Sequence, residues 1–280
     1  MDVWFEDFLM RSPMFEPLRP LGAALRSPQW PALDDLQRLA DARGTGVSTR
    51  SGAPLRFVAQ AGKAAVFEDK YEARIYLKGE VQIRAASWHD LFNALVWLTF
   101  PRAKAALNER HYRELERRRV GGAQDRGPAQ DALTLFDEGG VIVAASDPAL
   151  AALLTGFEWK QLFWHRRSEV LHCMRFYLFG HALYEKALAP FTGVTGRGVI
   201  FGVDDAFFEM PSAAQLTALD AQLAAHIGNA ARLATTRELV PVPILGVPGW
   251  CEDNARERYY DNPDYFRPAR RTGGAGPSTP

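Results

Sequence analysis

A chain of 280 residues with 47% hydrophobic and 24% charged content is globular in composition and long enough to bury most of its apolar surface, which excludes disorder throughout. Lys plus Arg and Asp plus Glu are equal at 33 each, so no global field draws a polyanion or an anionic membrane, and there is no strong nucleic-acid signal. The opening MDVWFEDFLM is acidic where a signal peptide needs a basic flank, and the two cysteines, Cys173 and Cys251, give no disulfide framework, so a cytoplasmic location is expected.

The first thirty residues carry Pro13, Pro17, Pro20, Pro28 and Pro31 between Trp4, Phe5, Phe8, Phe15 and Trp30, which predicts an extended arm pinned by its rings. A short helix is expected from Ala32, with Leu33, Leu36 and Leu39 on one face and Gly44 just past its end, then a loop over 44–54. In YEARIYLKGEVQIRA, apolar Tyr71, Ala73, Ile75 and Leu77 alternate before Lys78-Gly79-Glu80, and Val81, Ile83 and Ala85 after it, which predicts a β-hairpin with a three-residue loop. Ser87 to Asp90 reads as a capping box before LFNALVWLTF, and Pro101 restarts the helix through RAKAALNERHYRELERRR. Residues 121–130, GGAQDRGPAQ, form the clearest flexible connection.

DALTLFDEGGVIVAA is read as a second hairpin, apolar on both faces and hence inside a covered sheet. Asp147 caps a helix with Pro148 at its first position, closed by Thr155-Gly156. A long apolar helix is expected over 170–188, too rich in ionisable groups to face lipid. RGVIFGV is a short strand, and a capping box at Ser212 to Gln215 opens a helix with Leu216, Leu219, Leu223 and Ile227 in register.

On the helix expected at 170–188, Val170, Met174, Tyr177, His181 and Leu188 fall in one stripe with Glu185 on its shoulder, so His181 points into the core. A buried imidazole one turn before a carboxylate needs partners. Two readings answer that need. His181 and Glu185 share a divalent metal or act as an acid–base pair, with Asp131, Asp137, His89 or Asn93 joining them; or His181 bonds a buried hydroxyl or carbonyl while Glu185 pairs with Arg175, Arg197 or Arg232. His89 and Asn93, four apart after a hairpin, faintly resemble the metal-and-histidine nucleases, and Asp137 and Glu138 also fit ordinary turn chemistry. The eight basic residues between 102 and 126 stand against four acidic ones, and pairs such as Glu109–Arg113 and Glu114–Arg118 predict a solvated helix face. The final aromatic segment, with Trp250, Tyr259, Tyr260, Tyr265 and Phe266, must cover its own domain or bind a protein partner, and its Asp253-Asn254 and Asp261-Asn262 pairs suit turns.

At WHDLFNALVWLTFPRAKAALN, DALTLFDEGGVIVA, FGHALYEKALAPFTGVTG and PVPILGVPGW the chain resembles a bacterial family catalogued as domain of unknown function 3025. The likeness covers all but the final tail and implies a bacterial, cytoplasmic protein of one architecture. It carries over no activity, cofactor or catalytic residue. The residues themselves predict a single α+β domain over 1–271, with two β-hairpins contributing to a sheet packed by several helices, the 1–31 arm packed on it and a disordered tail at 272–280. A hydrolase, with or without the help of a divalent metal, built on His181, Glu185, His89, Asp131 and Asp137 is the first functional expectation; a non-catalytic interaction or regulatory protein is the second.

Overall fold

Prolines set the course of the first residues, but not as an extended arm. Phe8–Met10 and Pro13–Leu25 are 3-10 helical, with Pro17 and Pro20 inside the second segment. The proline ring fixes φ near the 3-10 value, and short tight turns tolerate a missing N–H that a long α-helix would not. Phe8, Met14, Phe15, Leu18 and Leu21 are buried, and Trp4 and Trp30 pack on Trp88 with ring centroids 5.0 and 4.8 Å away. The computed structural model describes residues 2–43, 46–60, 62, 64–121 and 127–268; the stop expected at Gly44, residues 122–126 of the 121–130 connection and the tail lie outside them.

Helix α1 (Leu33–Asp41) leads to strand β1 (Arg56–Ala59). The first expected hairpin is not formed. Tyr71–Lys78 is helix α2, and only Glu80–Ile83 is a strand, β2, which pairs parallel with β1. Gly79 decides this: at φ 71° it closes the helix, its N–H meeting the Ile75 carbonyl at 2.8 Å, and a Cβ there would collide with the Pro54 carbonyl. The alternation that suggested a strand also leaves Tyr71 and Leu77 exposed while Ala73 and Ile75 are buried. Helices α3 (Trp88–Thr99) and α4 (Pro101–Gly121) break at Pro101 as expected. Ser87 caps α3 through its Oγ, but Asp90 turns to Arg84 rather than back to Ser87.

The second expected hairpin is likewise a helix followed by a strand, α5 (Pro128–Gly139) and β3 (Gly140–Ala145). Pro128 starts the helix and the two glycines end it. Every residue of β3 is buried, as its apolar run on both faces requires. Helix α6 (Pro148–Thr155) has the expected Asp147 cap. The long helix expected at 170–188 is three elements: α7 (Arg167–Cys173), β4 (Met174–Leu178) and α8 (His181–Ala187). An apolar run has no period that separates buried strand from buried helix, and pairing with β3 selects the strand. Strand β5 (Thr195–Gly202), helices α9 (Ala206–Glu209) and α10 (Ser212–Gly228) and strand β6 (Val240–Pro243) complete the set. Leu216, Leu219, Leu223 and Ile227 are buried along α10, but Gln215 forms no capping box: it is buried and accepts from Tyr177 and Arg175.

The main sheet runs β4-β3-β5-β6, with β3 and β5 parallel and the outer pairs antiparallel. With the small β1-β2 pair and the surrounding helices it makes an α+β fold with a contiguous apolar core from Phe8 to Phe266. The aromatic C-terminal segment covers this same core. Tyr260, Tyr265 and Phe266 are buried, Tyr265 Oη donates to the Val194 carbonyl at 2.8 Å, and Asn254 is wholly buried beneath them. Among the described residues no helix is long and apolar enough to cross a membrane.

Candidate active site

His89 stands in the first turn of α3, and that turn is anchored. Asp90 accepts from the Arg84 backbone N–H at 2.7 Å and from its guanidinium at 2.7 and 2.8 Å, tying the end of β2 to the helix. Burial pushes the Asp90 carboxyl up, but the Arg84 hydrogen bonds outweigh it and hold it below the usual carboxylate range. Asp137 and Glu138 end α5. Lys104, 3% exposed on α4, donates to Asp137 Oδ1 at 2.5 Å and to Asn93 Oδ1 at 3.0 Å. Burial acts to raise the Asp137 carboxyl, and the Lys104 charge overcomes it, keeping the group ionised below its ordinary range.

Gly180 brings His181 to this point. The N–H groups of Phe179 and Gly180 both donate to the Gly140 carbonyl at 2.9 Å, and a Cβ on Gly180 would collide with the backbone of Gly140 and Glu138. The first residue of α8 therefore lies against the last turn of α5.

The two imidazoles meet nitrogen to nitrogen. His89 Nε2 and His181 Nε2 are 3.1 Å apart, with the rings at 80°. Each ring has a carboxylate behind it: Glu185 Oε2 is 3.1 Å from His89 Nδ1, and Asp137 Oδ2 is 3.8 Å from His181 Nδ1. Glu138 Oε2 lies 3.7 Å from His181 Nε2, and His89, Glu138 and His181 can present one ligand atom each, all within 4.8 Å of one another. Metal–ligand bonds of about 2.0–2.2 Å set neighbouring ligand atoms roughly 3.0–3.5 Å apart, close to the 3.1 and 3.7 Å that separate His181 Nε2 from His89 and Glu138.

Burial lowers the His181 pKa to about 4, Lys104 and His89 adding to it and Asp137 opposing it, so the ring is neutral at neutral pH. In the tautomer that donates Nδ1–H of His89 to Glu185, the His89 Nε2 is a lone pair. A proton on His181 Nε2 would serve that lone pair but leave its buried Nδ1 as a second lone pair facing Asp137, both its carboxylate 3.8 Å away and its backbone carbonyl. A proton on Nδ1 suits Asp137 but sets two lone pairs against each other. A cation shared by the two Nε2 atoms would relieve that conflict, with the Glu185 and Asp137 carboxylates behind the two rings. Burial raises the Glu138 carboxyl, His89 opposing and Asp137 adding to it.

A cleft of about 440 Å³ opens onto this trio. Its walls include Tyr71 from α2 and His111 from α4; His111 is 4% exposed, and no described residue hydrogen-bonds its ring. Asn108 donates to Glu72 Oε2 at 2.7 Å while its own Oδ1 is buried without a partner.

The structure thus places His89, His181, Asp137 and Glu185 in one cluster. Glu185 does not share a ligand position with His181, nor does it pair with Arg175, Arg197 or Arg232: it holds His89. Asn93 bridges Lys104 and Tyr71, outside the trio. Asp131 is exposed in the first turn of α5 and does not line the cleft. Glu138 and Lys104 are the residues the sequence reading passed over, one as turn chemistry and one as part of a solvated face. Arg113 does pair with Glu109 on that outer face, and Arg117 pairs with Glu114, each at 2.6 Å. Lys104, Asn108 and His111, spaced i, i+4, i+7 beside buried Ala103, Ala106 and Leu107, are the visible sign of a second, inward face.

No curated protein and no solved structure matches the chain. Residues 55–270 match the family described as a protein of unknown function (DUF3025), and the chain belongs to that family.

Proposed function

We propose that the protein is a metal-dependent hydrolase whose divalent cation is held by His89, His181 and Glu138. The observation that carries this reading is the pair of Nε2 atoms 3.1 Å apart, each ring backed at Nδ1 by a carboxylate. Two histidines and one glutamate form a recurrent ligand set of catalytic zinc, which leaves a coordination position for water or substrate. Such a cation supplies Lewis acidity and an acidified water for cleavage of an ester-type bond. Glu185 and Asp137 orient the imidazoles, and Lys104 keeps Asp137 ionised. The same donor set also holds iron(II) in oxygenases, so the identity of the metal separates these chemistries. The bacterial, cytoplasmic setting implied by the family resemblance suits two cysteines that are both free. A protein-binding role through the C-terminal aromatics has less support, because Tyr260, Tyr265 and Phe266 are buried in the protein's own core.

Metal analysis of purified protein tests the reading. One divalent ion per chain is expected, lost on His89→Ala and on His181→Ala, together with hydrolysis of chromogenic esters or phosphodiesters that disappears in the same variants. A folded protein that takes up neither zinc, manganese nor iron on dialysis would refute it.

A further inference from the structure

The hydrogen bonds leading away from the trio have a fixed direction. Lys104 can only donate, so the Asn93 atom 3.0 Å from its Nζ must be the carbonyl Oδ1. The amide Nδ2 is thereby turned to Tyr71, whose hydroxyl accepts from it at 2.7 Å. A hydroxyl oxygen that accepts still has its own proton to give, and among the described residues no acceptor takes it. Tyr71 and Asn93 line the same cleft as His89 and His181, and Asn93 follows His89 by one turn of α3. Although 41% of Tyr71 is exposed, burial at its hydroxyl end, with the charges of Glu72 and Asp137, pushes its pKa well above the ordinary tyrosine value, so the proton stays on the oxygen. Each link in the run from the Lys104 ammonium polarises the next, which strengthens the last donor.

We propose that the Tyr71 hydroxyl is a dedicated hydrogen-bond donor to an anionic oxygen of the substrate, its direction set by Lys104 through Asn93. The inference rests on the metal-site reading and narrows it: the substrate carries a phosphate-like or carboxylate-like oxygen, or develops an oxyanion, beside the scissile bond. Tyr71 touches the substrate and is a catalytic residue in that sense; Asn93 is a positioning residue.

Inorganic phosphate, titrated into zinc-loaded protein by calorimetry with the metal content of each sample measured, is the probe. Wild-type protein is expected to bind phosphate, and Tyr71→Phe to bind it roughly tenfold or more weakly at unchanged metal content, the usual loss for a charge-assisted hydrogen bond. Asn93→Asp keeps the tyrosine but puts an acceptor where a donor was, so the hydroxyl turns inward and affinity falls as far. The added charge is separated from this effect by the double variant: if Asn93 acts through Tyr71, Tyr71→Phe/Asn93→Asp is no weaker than Asn93→Asp alone. Unchanged phosphate binding in Tyr71→Phe, fully additive losses, or no phosphate binding by metal-loaded wild type would each overturn the inference while leaving the metal site intact. A wild-type protein that holds no metal would overturn both.

Discussion

Two parts of the molecule bury polar groups, and they do so differently. Under the C-terminal segment, Asn254 gives both amide hydrogens to carbonyls, Leu245 at 2.9 Å and Val247 at 2.7 Å, and Tyr260 Oη donates to Gly246 at 2.9 Å. No buried side-chain atom of this segment lacks a partner among the described residues. At the cleft, by contrast, His181 Nδ1 is buried with its nearest carboxylate oxygen 3.8 Å away, and two imidazole nitrogens face each other. Buried polarity that is fully paired fixes the shape of a chain; buried polarity left incomplete asks for an explanation at its own place in the fold. The C-terminal network fixes architecture, and the cleft is where the proposed cation would complete the polar contacts.

The strongest way to break this contrast is Lys104→Met. It strands the buried Asp137 carboxylate, and a loss of roughly 3–5 kcal/mol is expected in urea unfolding, the cost of an uncompensated buried charge. Adding Asp137→Leu to it should return most of the stability, because no charge is then left unpaired. A cost below about 1 kcal/mol for the single variant would mean that the cleft tolerates a lone carboxylate and is far wetter than its 3% exposed lysine indicates.

Acid should act on the cleft next. His181 has its pKa lowered by burial from 6.5 to about 4. Above 6.5 the ring is neutral whether the chain is folded or unfolded, so this group gives no slope there. As pH falls from 6.5 the unfolded chain takes up the proton and the folded one does not, so stability drops until about pH 4 and then levels. The full loss is about 3 kcal/mol for metal-free protein, at 1.36 kcal/mol per pKa unit. Urea midpoints across this window should slope for wild type and flatten for His181→Gln; equal slopes would place the protonation elsewhere.

The parts of the fold that were legible in the sequence are those written locally. Pro101, the Asp147-Pro148 start and the 216, 219, 223, 227 register each dictate their element from a few neighbouring residues. The hairpins failed because a glycine after an apolar alternation ends a helix as readily as it turns a strand, and Gly79 at φ 71° does the former. The helix expected at 170–188 failed because packing, not period, made Met174–Leu178 a strand. His181, Glu185, His89 and Asp137 were visible as inward or paired polar residues, yet the contact from His89 to His181 spans 92 positions and has no local spacing. Glu138 and Tyr71 could not be reached for the same reason: their partners exist only after Gly180 and Gly79 set the helix ends.

The smallest expected effect is the most discriminating. Asp131 belongs to the same helix as Asp137 and Glu138, but it is exposed in the first turn and away from the cleft. Its carboxylate sits at the positive end of the helix dipole, so Asp131→Asn should cost about 0.3–1 kcal/mol, shrinking as salt is added. Zinc uptake should be unchanged, whereas Glu138→Gln, seven residues further along α5, should weaken it by orders of magnitude because a ligand is removed. Competition with a chromophoric chelator reads both. A drop in zinc affinity for Asp131→Asn comparable to that for Glu138→Gln would show that charge anywhere on α5 attracts the ion, and the boundary drawn between paired architecture and the unpaired trio would fall with it.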